Sequence, residues 1–445
     1  MRAARQPGSG PSRRTVLRGA LATGALGAIG AVSGCVGFST SGSTGMVFLS
    51  TQFRPVAEAG RFRATLAKTV PNAASYVTIE EGPFASQVRS QAAAGRTQMG
   101  LLGGSHSDLA PLANDYLEDL TELLAGLGER GWPTEYLGLA KAGTGRTWYI
   151  PWAQASFVLA AHADALRHLP PGADAETLTY DQFLDWAIAA RQANGNRPAL
   201  GLPGGPKGLI HRFLQGYLLP SFTGGQISTF RSPEAVTAWQ YLRELWPNCS
   251  QSSTTYEFMQ EPLESGEVSI GWDHVARLVT APDRDPGNWR MLPAPRGPRG
   301  LGYMAVVIGL AIPKGGTDRR LAGQVIDALT RPAAQLELLR SNGFFPVVSA
   351  TIPDDLPPAL AMEADAVRRQ RDAQGAILSL LPVGLGTREG EVTKAFKDSF
   401  RAIILEGADI QSTLDDQARV LQGVFDELKV PCWAPDPATA LCQVG

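Results

Sequence analysis

The stretch GGSHSD brings Ser105, His106 and Asp108 within four residues of one another, the residue types of a nucleophilic triad. Such triads are assembled from positions far apart in the sequence, and this stretch lacks the GxSxG turn between a strand and a helix. Glu80 and Glu81 are adjacent and are expected to point to opposite sides of a strand, so they cannot act together on one glycosidic bond. These residue types therefore favour hydrogen bonding to a ligand over catalysis.

Predicted strands deliver such polar residues to one edge of a sheet. Strand-like stretches at 45–53, 75–82 and 97–109 alternate with helix-like stretches at 54–70 and 84–96, an order that predicts a parallel α/β sheet. Ligands of such sheets bind at the carboxyl ends of the strands. The loops at these ends supply the candidates Ser50, Gln52, Glu81, Ser105, His106 and Asp108. For Asp108, capping of a helix N-terminus is an equally good interpretation.

The N-terminal residues have the composition of an export signal. Five arginines and no acidic residue precede Cys35, and an apolar run rich in Ala and Gly follows Arg18. The run is shorter than the ~20 residues of a membrane-spanning helix, as in signal peptides. SRRTVLR resembles the twin-arginine motif, and VSGC resembles the lipobox of lipoproteins. The sequence predicts a signal peptide over 1–34, a lipidated Cys35 with a tether to 45, and twin-arginine export to the extracytoplasmic face of the plasma membrane.

The charge and the cysteines of the exported chain restrict its partners. Loss of the five arginines leaves 35 basic against 42 acidic side chains, a net charge of −7, which disfavours nucleic acid. No CxxC pair or Cys/His cluster of zinc spacing occurs, so neither a metal nor a cofactor is expected. Of the remaining Cys249, Cys432 and Cys442, the last two could form a disulfide in an oxidising compartment, although their geometry is open at this point.

Several weak motifs occur in a recognisable order. These are QAAAGRTQMGLL, YLEDLTELL, WYIPWAQASFVLAAHADAL, LESGEVSIGWDHV and GFFPVVSA. Together they resemble the extracellular solute-binding proteins of ABC importers, specifically the carbohydrate-binding family that includes maltose-binding protein, over most of residues 46–430. One departure is that the Tyr-Asn of the family at the chain crossing is Ala161-His162 here.

The resemblance implies an α/β fold with two lobes of the periplasmic-binding-protein type, a hinge and a ligand cleft between the lobes. It implies a first lobe of 46–150 plus 273–316 and a second lobe of 151–272 plus 317–445. The expected role is to capture a sugar or oligosaccharide as a monomer and deliver it to the permease and ATPase subunits. A glycerophosphodiester or amino-sugar ligand is the alternative within this role. A secreted glycoside-acting enzyme and a surface scaffold are the alternatives from other classes.

The resemblance also suggests residues that would hold a sugar, which binds an aromatic surface and directional polar groups. The aromatic candidates are Trp152, Trp272 and Tyr303, and the polar ones are Gln154, Asp273 and Arg388. Core packing is the alternative for any tryptophan, and it is preferred for Trp186, Trp239 and Trp246 on predicted helices. For Arg388, the alternatives are an ion pair with a carboxylate, a grip on an anionic ligand and a solvated side chain.

Overall fold

The computed structural model describes residues 45–54, 56–385 and 388–445. The predicted twin-arginine segment, Cys35 and most of the tether lie outside these ranges, so the structure does not test them. In the ranges that are described, no helix combines the length and the apolar character needed to cross a membrane.

The described strands form a five-stranded, a four-stranded and a two-stranded sheet. The strands are β1 (Met46–Ser50), β2 (Ala74–Thr78), β3 (Met99–Ser105), β4 (Ile150–Ala155), β5 (Phe157–His162), β6 (Leu200–Gly201), β7 (Ile270–His274), β8 (Trp289–Leu292), β9 (Leu301–Met304), β10 (Val306–Ala311) and β11 (Ala376–Ser379).

Helices cover the sheets and connect their strands. The described helices are α1 (Val56–Thr69), α2 (Glu81–Ala93), α3 (His106–Leu109), α4 (Thr121–Gly126), α5 (Thr134–Ala140), α6 (Ala163–Leu166), α7 (Tyr180–Ala193), α8 (Ile210–Phe213), α9 (Leu219–Thr223), α10 (Pro233–Leu245), α11 (Gln260–Glu264), α12 (Thr280–Arg284), α13 (Arg319–Leu329), α14 (Pro332–Asn342), α15 (Pro358–Asp372), α16 (Glu389–Phe400) and α17 (Ile410–Leu428). A π-helical turn at Leu214–Leu218 joins α8 to α9.

The first sheet has the order β2-β1-β3-β10-β4, and β1 pairs in parallel with both β2 and β3. This confirms the predicted βαβαβ order. The alternation of strands and helices could be predicted because α1 has an apolar face, on which Phe62 is buried against Phe48 of β1 with the ring centroids 6.0 Å apart. β10 and β4 complete the sheet by antiparallel pairing.

The second sheet has the order β6-β7-β5-β8, and the chain reaches it through a one-residue crossing. β4 of the first sheet ends at Ala155 and β5 of the second begins at Phe157, so Ser156 is the crossing residue. The chain crosses back at Ala305, between β9 and β10. The two crossings are adjacent, because the Ser156 hydroxyl donates a hydrogen bond of 2.8 Å to the Met304 carbonyl.

These pairings correct the predicted lobe boundaries. We name the first lobe by residues 45–155 plus 306–345 and the second lobe by residues 157–304 plus 358–445. The segment 273–304, predicted in the first lobe, belongs to the second, because β7 and β8 pair with β5. Residues 151–155 belong to the first lobe, because β4 pairs with β10. The segment from 317 to 345 also belongs there, because α13 packs on β3 and α14 on α1.

Short-range sequence patterns account for several features of the structure. Thr179 caps α7 and accepts a hydrogen bond of 3.1 Å from the Gln182 amide, while the Gln182 side chain accepts one from the Thr179 amide. Cys432 and Cys442 form a disulfide, with their Cα atoms 4.5 Å apart. Cys249 is a buried free cysteine.

Candidate ligand-binding cleft

Hydroxyl groups and one carboxylate meet where β1 and β3 end. Asp108 Oδ2 accepts hydrogen bonds from the Ser105 amide at 2.9 Å and from the Ser105 and Thr51 hydroxyls at 2.8 Å each. Gln52 donates from Nε2 to the Thr51 hydroxyl at 2.9 Å, and Ser50 accepts from the Gln52 amide at 3.0 Å. Asp108 therefore holds the start of α3 and joins two strand ends, so its capping role is real.

The backbone at the end of β3 leaves little room for larger residues. A Cβ atom on Gly104 would lie 2.9 Å from Cβ of Asp108, so a side chain at this position would push the carboxylate out of place. Gly104 is thus required by the close approach of the strand to the first turn of α3, whereas a Cβ atom on Gly103 would meet Phe48 and Ser50 of β1.

Asp108 is surrounded by protein on most sides, although part of its surface stays exposed. Burial raises the pKa of Asp108 to about 7, and the charge of Glu81 adds to the increase. The hydrogen bonds from Ser105 and Thr51 oppose it because they favour the charged carboxylate. The carboxyl group therefore changes its charge near neutral pH.

The second lobe places a mixed charge pair opposite these loops. Glu389 begins α16, and its Oε1 lies 3.7 Å from Nη2 of Arg212 on α8. Nη1 of Arg212 donates a hydrogen bond of 3.1 Å to Oε1 of Gln215 in the π-helical turn. The pair is half-buried, with 15% of the Arg212 side chain and 22% of the Glu389 side chain exposed.

Glu389 is close to the first lobe. Burial raises its pKa, while Arg212 and the Ser107 hydroxyl lower it and the charge of Glu81 raises it. Ser107 and Glu81 stand on the first lobe and Glu389 on the second, so these groups face each other across the junction of the lobes. We call this arrangement the cleft: Thr51, Gln52, Glu81, Ser105, Ser107 and Asp108 on one side, and Arg212, Gln215 and Glu389 on the other.

Sequence reasoning missed the second-lobe part of the cleft. Glu389 directly follows Arg388 in GLGTREG, a loop that was selected for its arginine. Arg212 stands in the otherwise apolar LIHRFLQGYLL, and a charged residue inside an apolar run is a usable signal for a buried functional side chain. Ser107 stands between two residues that were selected.

Two predicted aromatic ligand contacts are wrong, because both rings are core residues in this structure. Trp272 has no exposed surface and stacks on Phe157, with centroids 4.9 Å apart and an interplanar angle of 7°. Trp152 is 1% exposed and packs against Phe53 and Phe62. Neither ring offers a face to the cleft.

His106 and Asp273 are also turned into the interior. Nδ1 of His106 lies 2.8 Å from the Tyr149 hydroxyl, and burial lowers the pKa of His106 to about 4, so this imidazole is neutral at pH 7. Asp273 accepts hydrogen bonds from the Met259 and His274 amides at 2.8 and 2.7 Å. Burial raises the pKa of Asp273 to about 7. Asp273 thus organises the backbone and His106 contacts the Tyr149 side chain, and both are buried.

Gln154 and Tyr303 lie at the chain crossings. Gln154 accepts a hydrogen bond from the Tyr136 hydroxyl and donates one of 3.2 Å to the Pro346 carbonyl, so its amide is engaged within the first lobe. Tyr303 keeps part of its surface exposed near Arg371. Of the predicted aromatic contacts, only Tyr303 stays available to a ligand.

Arg388 does not reach into the cleft. Its guanidinium binds Glu391, at 2.5 Å and 2.9 Å, and also contacts Glu427 of α17. These carboxylates hold it on the second lobe with 30% of its side chain exposed. Of the alternatives for this arginine, the structure shows the ion pairs with carboxylates, and a grip on an anionic ligand stays a prediction.

A second contact between the lobes lies beside the cleft. Glu58 in the first turn of α1 binds Arg277, which follows β7 of the second lobe. The Arg277 guanidinium also lies 4.5 Å from the ring centroid of Phe258. Phe258 is 41% exposed, which makes it the accessible aromatic ring at this junction.

A cavity of about 570 Å³ opens elsewhere, at the far end of the second sheet. Its walls include His162 at the end of β5 and Trp289 at the start of β8, whereas Phe157, at the other end of β5, adjoins the crossing. The cavity thus belongs to one lobe and lies a strand length from the hinge. Movement of the lobes relative to each other would leave the walls of this cavity unchanged.

Known proteins are similar to this chain in family and in fold. The family model described as "Bacterial extracellular solute-binding protein" matches residues 68–336, more than half of the chain. No curated protein sequence matches. Maltose-bound MalE3 of T. maritima is 21% identical with a TM-score of 0.69, covering 85% of this chain and 99% of its own.

Two further solved structures share the fold at the same TM-score of 0.69. UgpB of Mycobacterium tuberculosis, in complex with glycerophosphocholine, is 17% identical, covering 87% of this chain and 99% of its own. The GacH receptor of Streptomyces glaucescens, solved unliganded and with acarbose, is 14% identical, covering 86% of this chain and 99% of its own. At these identities the likeness establishes the two-lobed fold, and the ligand must be inferred from the cleft itself.

Proposed function

The chain belongs to the bacterial extracellular solute-binding proteins, and from this premise we propose that it captures a sugar or oligosaccharide for an ABC importer. The observation that carries the proposal is that polar side chains of the first lobe face polar side chains of the second. Hydroxyls and a carboxylate at the ends of β1 and β3 stand opposite Glu389 and Arg212. Such groups accept and donate hydrogen bonds in fixed directions, which suits a ligand ringed with hydroxyls.

The charges in the cleft favour a sugar over a glycerophosphodiester. Arg388, the arginine expected to grip a phosphate, is bound to Glu391 and Glu427 instead. Arg212 already faces Glu389. An anion would therefore have to compete with carboxylates for each of these two arginines. Maltose and acarbose in the solved neighbours are carbohydrates, which supports the choice.

We propose further that the protein works by closure of the lobes and without turnover. The adjacent crossings at Ser156 and Ala305 form the hinge, and rotation about them would bring the two sides of the cleft together on the ligand. The closed monomer would then deliver the ligand to the permease, whose ATPase is a separate subunit. Recovery of the bound sugar unchanged after long incubation tests the absence of catalysis against a glycoside-acting enzyme.

A thermal-shift screen of residues 36–445, which contain the compact unit Thr44–Gly445, tests the ligand class. A ligand at 100 times its Kd stabilises the folded state by about 2.7 kcal/mol. We expect shifts with neutral or amino sugars and none with glycerophosphodiesters. A shift with glycerophosphodiesters alone would overturn the sugar assignment, and silence in all classes would overturn sugar binding altogether.

We also propose that lipid on Cys35 anchors the protein to the outer face of the plasma membrane after twin-arginine export. Expressed in a host that processes bacterial lipoproteins, the full chain is expected in the membrane fraction, with a diacylglyceryl group on Cys35 in the mass spectrum. Cys35→Ser should release it, and replacement of Arg13 and Arg14 by lysine should block export. A soluble exported chain with unmodified Cys35 would contradict the anchor.

A further inference from the structure

A carboxyl group without a hydrogen-bond partner lies where the two lobes meet. Glu363 of α15 has no exposed surface, and within the described residues neither of its carboxyl oxygens has a partner. A charge in such a place is costly, because nothing replaces the water that the carboxylate would lose. Glu363 therefore keeps its proton in this arrangement and is a neutral acid.

The first lobe supplies one wall of this site. A Cβ atom on Gly343, at the end of α14, would lie 3.5 and 3.6 Å from the two carboxyl oxygens of Glu363. The next residue, Phe344, has its ring centroid 5.7 Å from that of His274 in the second lobe. Gly343 and Glu363 also flank the segment 346–357, where the chain passes between the lobes a third time. The contact between the lobes therefore contributes to the burial of Glu363.

The titratable groups nearest to Gly343 offer Glu363 no compensating charge. Burial lowers the pKa of His274 to about 3, and Arg277 adds to the decrease, so this imidazole is neutral. Glu58 and Arg277 bind each other across the lobes. The Glu58 carbonyl accepts a hydrogen bond of 3.0 Å from Nδ2 of Asn342, which places this ion pair at the same junction. Its two charges cancel, so neither is free to pair with Glu363.

Other charged groups lie on α15 and on the elements packed against it. On α15, Asp365 pairs with Arg368 and Arg369, and Arg371 pairs with Asp372, all with exposed surface. The groups on α12, β8, β5 and β9 and in the last turn of α14 are Asp283, Arg284, Arg290, His162, Tyr303 and Arg340. Burial raises the pKa of Glu363 well above its ordinary value, and within the described part of the chain none of these charges contributes. The protonation of Glu363 thus depends on how the lobes pack.

We propose that Glu363 is a proton switch at the lobe junction, a neutral acid while the lobes are packed together and a carboxylate once they rotate apart. The proposal rests on the lobe closure of the proposed function and adds its regulation. Rotation of the lobes moves Gly343 away from the carboxyl group, which removes one wall of the site and admits water. Opening therefore releases one proton to the solvent, and closing takes one up.

The direction of the pH effect follows from this proton balance. The closed form holds the proton more tightly than the open form, whose hydrated carboxyl group has the ordinary pKa of about 4.3. Above that pKa, the closed form loses about tenfold against the open form for each pH unit, until the raised pKa of the closed form is reached. Low pH therefore favours closure, and ligand affinity, which needs closure, falls as the pH rises.

The test uses the unliganded protein, residues 36–445, so that its result does not depend on which sugar binds. Small-angle X-ray scattering at pH 5 and pH 8 measures the radius of gyration of the wild type, Glu363→Gln and Glu363→Leu. We expect the wild-type radius to be larger at pH 8 than at pH 5. Both variants should keep the smaller radius at pH 8, because neither can ionise at this position. Asp372→Asn, at an exposed site on the same helix, should behave as the wild type.

Two other carboxyl groups titrate in the same interval. Burial raises the pKa of Asp108 and of Asp273 to about 7, and both residues are unchanged in all of these variants. A difference between the wild type and both Glu363 variants therefore belongs to Glu363. A radius that rises with pH in the variants as much as in the wild type would assign the effect to other groups and overturn the proposal.

Urea denaturation at the same two pH values separates the burial of Glu363 from its coupling to the lobes. The wild type should lose free energy of unfolding relative to Glu363→Gln as the pH rises, because its carboxyl group ionises on unfolding. If this loss appears while the radii stay equal, Glu363 remains buried when the lobes move, and the switch is wrong. If the wild type and the variants agree in radius and in stability, Glu363 is not a protonated buried acid. Either result leaves the solute-binding role standing, which the thermal-shift screen tests separately.

Discussion

Replacement of Trp272 by alanine is expected to lower the free energy of unfolding by about 3–5 kcal/mol. The ring has no exposed surface, stacks on Phe157 and receives the edges of Phe213 and Tyr217, each with centroids 5.1 Å away. Alanine would leave a large cavity among these rings, and the second sheet could collapse into it only in part. Urea denaturation of wild type and variant measures the loss directly.

Phe258→Ala is the matched control, because this ring is 41% exposed and lies at the junction of the lobes. We expect it to change the free energy of unfolding by about 0.5 kcal/mol or less, as surface substitutions do, while weakening ligand binding. If Trp272→Ala instead kept its unfolding midpoint and lost only ligand binding, the ring would have to face the ligand in the closed state and its assignment to the core would be incorrect.

The local order of elements was predictable because short-range patterns determine it. The capping box of Thr179 and Gln182 fixes the start of α7 within four residues, and burial of Phe62 against Phe48 gives α1 its helical period. Lobe membership was not predictable in the same way. β4 and β5 form one largely apolar run that is interrupted by Gln154 and Ser156, and the sequence does not show that its halves pair with β10 and β7 in different sheets.

The candidate site likewise contains residues that the sequence could predict and residues that it could not. Asp108 and Ser105 were predicted because polar residues after a parallel strand lie at its ligand-binding edge. Trp272 was misassigned because the tryptophan of a strand end can turn to either face, and only the packing of Phe157 and Tyr217 decides which. Arg212 and Glu389 are far apart in the sequence, so their approach is a property of the tertiary fold alone.

Arg277→Met is expected to destabilise the contact between the lobes strongly. Arg277 binds Glu58, which is 8% exposed, and removal of one partner from a buried ion pair costs about 3–5 kcal/mol because the other charge stays buried. Glu58 can escape this cost if the lobes separate and water reaches it. We therefore expect a larger radius of gyration in small-angle X-ray scattering of the unliganded protein, and a loss in the free energy of unfolding of up to that amount.

The double variant Glu58→Gln with Arg277→Met distinguishes the cost of an unpaired buried charge from the cost of lost packing. It removes the Glu58 charge that the single variant leaves without a partner, so most of the lost free energy of unfolding should be recovered. A loss that comes from the missing packing of Arg277 on Phe258 would persist in the double variant. Arg299→Met breaks an exposed pair with Glu234 inside the second lobe, so the free energy of unfolding and the radius of gyration should stay close to those of the wild type. An Arg277→Met protein with wild-type radius and wild-type stability would mean that the pair does not hold the lobes together. Recovery in the double variant would instead identify Arg277 as the residue that makes a buried Glu58 tolerable, and so couples closure of the cleft to one ion pair between the lobes.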